Sequence, residues 1–164
     1  MRKFEIISKK QFDIDFKDYD TNYEDLILPK RNTEYAAGYD FYLPFDIELK
    51  PGEIIKIPTG IKVVMNKEDF LGIYVRSSLG FKYNIRMCNQ VGIIDYDYYN
   101  NIDNEGHMFV KLQNHSDSVV CLKKDDRYVQ GIFQKYYTVD DEEKIDNKRV
   151  GGLGSTYKGE DNNG

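Results

Sequence analysis

Short apolar stretches separated by glycine, proline and asparagine run through most of the chain. Those at residues 4–7, 41–43, 54–57, 61–65, 71–75, 91–94, 108–112, 119–122 and 128–137 have the length and bounding turn residues of β-strands. Fourteen tyrosines and nine phenylalanines suit pleated, half-buried surfaces. No long stretch shows the repeat of an amphipathic helix, and only residues 67–70 suggest one helical turn. Pro51-Gly52 marks a tight turn, and the run Asn100-Asn-Ile-Asp-Asn-Glu-Gly106 reads as the tip of a long hairpin. Many short strands joined by such turns predict an all-β sandwich or barrel. Beyond about residue 140 the chain becomes acidic, then glycine-rich, with little to bury. The expected organisation is one β domain over residues 1–140 and a flexible tail over 141–164.

Composition narrows the function. At 164 residues and 40% hydrophobic content, the chain can bury one sizeable core. A net charge of −5 provides no basic face for a nucleic-acid polymer, although a single nucleotide remains open. No apolar run approaches a membrane span, and the first residues lack the apolar block of a signal peptide, so a cytoplasmic protein is expected. Cys88 and Cys121 show no metal-ligand spacing and read as small hydrophobic residues rather than a disulfide or zinc site. His107 and His115 likewise fall in no ligand pattern and read as exposed loop histidines.

Several short segments carry candidate chemistry. Arg76-Ser77-Ser78 follows an apolar strand and offers a planar cation and two hydroxyls to a phosphate, or forms an ordinary surface turn. Asp95 directly follows the strand at 91–94, where a rigid element fixes a carboxylate that can act as a base for water or simply cap a turn. Asp97 shares its face if the strand continues, and the two acids either hold a metal or form a solvated pair. Asp126 and Arg127 fit a local ion pair. Gly151-Gly152-Leu153-Gly154-Ser155-Thr156 presents consecutive backbone donors and two hydroxyls, as an oxyanion-rich ligand or a linker requires.

Taken in order, Ala36-Ala37-Gly38-Tyr39-Asp40, Arg76-Ser77-Ser78-Leu79-Gly80, residues 89–98, Asp126-Arg127-Tyr128-Val129-Gln130 and the 151–156 loop resemble the five ordered motifs of the homotrimeric dUTP pyrophosphatases (dUTPases). That resemblance implies a distorted jelly-roll, or β-clip, fold and hydrolysis of dUTP to dUMP and pyrophosphate with Mg²⁺. It also implies a homotrimer with active sites at the subunit interfaces. By resemblance, Asp95 polarises the attacking water, and Asp40 acts on the metal through its water shell. Arg76, Ser77, Ser78 and Gln130 contact phosphates. Asn89, Gly92 and Ile94 line a hairpin that selects uracil, and Tyr98 lies under the deoxyribose. Arg149, or Lys148, meets the γ-phosphate, and Leu153, Gly154, Ser155 and Thr156 close over the nucleotide.

The sequence departs from the family pattern in places. Leu153 stands where a phenylalanine is usual, which removes a base-stacking contribution of about 1–3 kcal/mol. The connection from Tyr99 to Gly106 is extended. Two other readings compete. A dCTP deaminase shares the Arg-Ser-Ser motif but needs a glutamate near the position of Lys111, and lysine cannot make that proton transfer. The other is a nucleotide-responsive regulatory protein that switches a partner protein; a pure binder has no need of Asp95, but the two roles can coexist in one chain.

Overall fold

The structure, a computed structural model, describes residues 1–146, Arg149 and Gly151. Leu153, Gly154, Ser155, Thr156 and Lys148 lie outside the described residues, as does most of the expected tail. Among the described residues the chain is all-β apart from two seven-residue helices and two 3₁₀ turns. The elements are β1 (Lys3–Ile6), α1 (Lys9–Asp15), β2 (Tyr39–Tyr42), β3 (Ile47–Leu49), β4 (Ile54–Pro58), β5 (Ile61–Val64) and β6 (Asp69–Val75). They continue with α2 (Ser77–Tyr83), β7 (Ile85–Met87), β8 (Val91–Ile94), β9 (Phe109–Asn114), β10 (Val120–Leu122) and β11 (Arg127–Lys135).

Four antiparallel sheets enclose the core. The largest runs β2-β11-β6-β8, a second runs β4-β9-β7, and β1-β5 and β10-β3 are two-stranded. Leu71, Ile73, Phe41 and Val129 point inward from the largest sheet, and Ile57, Val110, Leu112 and Ile85 from the three-stranded one. Burying each such side chain contributes about 1.5–3 kcal/mol.

Every strand expected from the apolar pattern is present, with ends shifted by one or two residues. Two strands escape it, because Ile47-Glu48-Leu49 and Ile85-Arg86-Met87 alternate over only three positions. The helical turn expected at 67–70 is instead a tight turn into β6, where the Asp69 carboxylate accepts from Asn66 N (3.3 Å). The real helices lie elsewhere. Ser8 caps α1 by accepting from Gln11 N, and Asn84 ends α2 in the left-handed region at φ 51°.

Both expected hairpins are corners between sheets. The turn at Asn89 and Gln90 joins β7 to β8, but β7 pairs with β9 and β8 with β6. Residues 100–106 carry the chain from β8 to β9, across to the three-stranded sheet. Glycine and asparagine serve both kinds of turn, so the residues do not distinguish them.

The surface and interior also correct three expectations. Cys88 and Cys121 are free and exposed. Arg127 turns away from Asp126 to Asp40, and the Asp126 carboxylate accepts from Lys123 N instead. His115 is exposed as expected, but His107 is wholly buried. Its Nε2 accepts from Gly60 N (2.8 Å) and its Nδ1 lies 2.6 Å from Asp15. With Nε2 accepting, Nδ1 carries the proton and the ring is neutral. Burial holds its pKa below the ordinary histidine value, against the pull of Asp15.

Candidate functional site

The strand ladders gather the expected site residues into two clusters. At one end of the largest sheet, Asp40 on β2 sits opposite Gln130 on β11, which lies opposite Tyr74 on β6. Arg76 follows β6 directly, and its N–H donates to the Tyr128 carbonyl (3.1 Å). Asp40 is only 6% exposed and would be costly to bury unpaired. Its Oδ1 receives Arg76 Nε at 2.8 Å, and its Oδ2 receives Arg127 Nη1 at 3.4 Å and the Asn32 amide.

Asp40 thereby aims two guanidinium groups while leaving other N–H donors on each to reach a ligand. Ser77 and Ser78 open α2 beside them and are exposed. Arg76, Ser78, Lys82 and Arg127 line a cleft of about 250 Å³, with Asp126 the one acid among the described residues on its wall. At Gly38 an added Cβ would stand 3.1 Å from Gln130 Cβ and closer still to its amide, so a larger residue there would displace the Gln130 side chain.

The second cluster forms where β8 ends. Ile94 is the last strand residue, and residues 96–98 take a 3₁₀ turn. The strand therefore does not continue through Asp97, yet both acids still meet one cation. Arg149 Nη2 is 2.6 Å from Asp95 Oδ2, and Arg149 Nε is 2.9 Å from Asp97 Oδ1. Its guanidinium also lies over the Tyr98 ring, 5.7 Å from the centroid. Asp95 remains half exposed. Tyr98 is buried, and burial raises its phenol above the ordinary tyrosine range. Gly92 is buried on β8, Ile94 lies inward and Asn89 is exposed on the preceding turn. Among the described residues β8 is an edge of its sheet, paired on one side with β6.

One chain does not bring the clusters together. In the β6–β8 ladder, Leu71 faces Ile94 and Tyr74 faces Val91. Asp95 thus lies at one end and Arg76 at the other, five residues along β6 from Leu71, or about 17 Å at the usual strand rise. Arg127 on Asp40 and Asp97 on Arg149 take parts that sequence reasoning did not assign them. For Asp97 the alternation with Asp95 gave a partial signal; for Arg127, adjacency to Asp126 pointed to the wrong partner.

A cation site built wholly from one chain is not present among the described residues, where no three histidine, cysteine or acidic side chains converge. Both oxygens of Asp40 are occupied by donors. So engaged, Asp40 would act on a Mg²⁺ ion through the ion's water shell rather than as a direct ligand, a role open to that hard, strongly hydrated cation.

The family model for dUTPase matches residues 24–159. The deoxyuridine 5′-triphosphate nucleotidohydrolase of Lactococcus lactis subsp. lactis is 42% identical over 157 residues, covering 95% of this chain and 97% of the relative. The Nautilia profundicola protein of the same name is 34% identical over 139 residues, covering 82% and 94%. In three dimensions, the crystal structure of dUTPase from Streptococcus mutans superposes with a TM-score of 0.68 at 39% identity, covering 84% of this chain and 98% of that one. The chain belongs to the dUTPase family.

Proposed function

We propose that this protein hydrolyses dUTP to dUMP and pyrophosphate in a homotrimer whose active sites are each assembled from more than one chain. The separation of Asp95 from Arg76 and Gln130 along one ladder carries this reading. A base and a phosphate clamp at opposite ends of a sheet can serve one triphosphate only if a neighbouring copy supplies the missing end.

In this reading Asp95 orients a water and takes its proton as the oxygen bonds to the α-phosphorus. The bond from that phosphorus to the bridging oxygen breaks, and pyrophosphate leaves. Half exposed, Asp95 can meet both water and substrate. The edge of β8 at Gly92 and Ile94 offers backbone groups to uracil's pairing edge, and Asn89 borders it. Such hydrogen bonds reject the wrong base more strongly than an apolar pocket does.

Tyr98 lies beneath the deoxyribose. Arg76, Ser77, Ser78 and Gln130 from another copy hold the phosphates, with Asp40 fixing the direction of Arg76. Arg149 moves from its carboxylates to the γ-phosphate as the substrate enters. Leu153, Gly154, Ser155 and Thr156 complete the enclosure as a lid. Mg²⁺, when bound with the triphosphate, neutralises charge on its oxygens. Two exposed, unpaired thiols favour a reducing compartment, and we place the enzyme in the cytoplasm.

The position that a deaminase would give to a glutamate holds Lys111, exposed on β9. Pyrophosphate release from dUTP, dTTP, dCTP and UTP tests the reading. With Mg²⁺, dUTP is expected to exceed each competitor by about a hundredfold or more in kcat/KM, and chelation is expected to abolish most turnover. Equal rates across the four, or ammonia released from dCTP, would overturn it.

A further inference from the structure

The connection from β8 to β9 is built around Tyr98. The Tyr98 hydroxyl donates to the His107 carbonyl (2.9 Å) and accepts from Asn104 Nδ2 (2.8 Å). The Tyr98 carbonyl accepts from Asn101 Nδ2 (2.8 Å). Asn104 is itself fixed, since its Oδ1 accepts from Asn101 Nδ2 (2.7 Å) and from Gly106 N (3.1 Å).

The carbonyl that receives the phenol is equally constrained. The His107 ring is held on its two nitrogens by Asp15 and Gly60. Gly106, at φ 80°, lies so close to the start of the connection that a Cβ would stand 2.7 Å from the Tyr98 carbonyl oxygen. Glu105 ties the same segment to α1 by accepting from Ser8 N (3.0 Å). Residues 100–106 therefore form a hydrogen-bonded brace that grips Tyr98 at both hydroxyl and backbone.

We propose that Asn104, acting through the Tyr98 hydroxyl, is a positioning residue that sharpens selection of 2′-deoxyribose over ribose. This rests on the placement of Tyr98 beneath the sugar. A ring can exclude a single added oxygen by contact only if it does not give way. A phenol held by both an acceptor and a donor has less freedom than one held by the carbonyl alone. Losing the amide leaves the ring packed but able to yield, so the substrate with the extra hydroxyl benefits.

The test compares kcat/KM for dUTP and UTP in the full-length enzyme and its variants. Asn104→Ala is expected to lower the dUTP-to-UTP ratio about tenfold through faster UTP cleavage, with the dUTP value within about threefold of the parent. Asn104→Asp retains the Oδ1 contacts that shape the turn and removes the amide donor, so it is expected to give a similar fall. In a Tyr98→Phe background, adding Asn104→Ala is expected to change the ratio by less than about twofold, because the group through which Asn104 acts is absent.

An unchanged ratio in both Asn104 variants, or an equal fall with and without the Tyr98 hydroxyl, would overturn the proposal. A parent enzyme that cleaves UTP as readily as dUTP defeats the placement of Tyr98 itself. A selective parent whose selectivity survives both substitutions defeats only the role of Asn104.

Discussion

Asp95→Asn is expected to lower kcat for dUTP about a thousandfold, the scale of losing a positioned general base. KM should stay within about threefold, since the amide fills the same space and the proton transfer occurs only in the transition state. The fold should be unaffected. Asp95 is half exposed, and among the described residues its side-chain ion pair is to Arg149, which keeps Asp97 as a second carboxylate. The variant is therefore a clean probe of chemistry. Steady-state pyrophosphate release with thermal unfolding as a control measures it, and retention of full turnover would remove Asp95 from the mechanism.

Arg76→Ala is expected to lower kcat/KM for dUTP by about a hundredfold or more, the usual scale for deleting a donor that stabilises developing phosphate charge. Asp40 would still be paired, through Arg127 and Asn32, so the buried carboxylate is not left without donors. That redundancy separates a catalytic loss from unfolding. Arg76→Lys should recover only part of the loss. Lysine places a charge but lacks the planar fork that bonds Asp40 through Nε while its other donors face a ligand. Full activity in the lysine variant would mean that charge alone, without orientation, suffices.

Much of this was legible in the sequence because the five segments with candidate chemistry are local. Arg76-Ser77-Ser78 after a strand, and Asp95 at the end of another, are fixed by the elements that carry them. The apolar pattern located the long strands for the same reason. Partners that meet across the fold were hidden. Arg127 stands beside Asp126 in sequence but meets Asp40, 87 residues away. His107 looked like a loop histidine, yet 92 residues separate it from the Asp15 that fixes its proton. Asn104 lies in a run of polar residues that resembles any surface turn until the Tyr98 hydroxyl is seen against it. The same turn chemistry that marked two connections could not show that their flanking strands belong to different sheets.

The gap between Asp95 and Arg76 gives the account its sharpest consequence. Asp95→Asn and Arg76→Ala subunits, each nearly inactive alone, should complement one another when unfolded, mixed in equal amounts and refolded. If each site takes Asp95 from one chain and Arg76 from another, random assembly of trimers restores about a quarter of the parental dUTP turnover. Activity in the mixture no greater than the mean of the two variants refolded separately would place both residues of a working site in a single chain, and would contradict the assembled site.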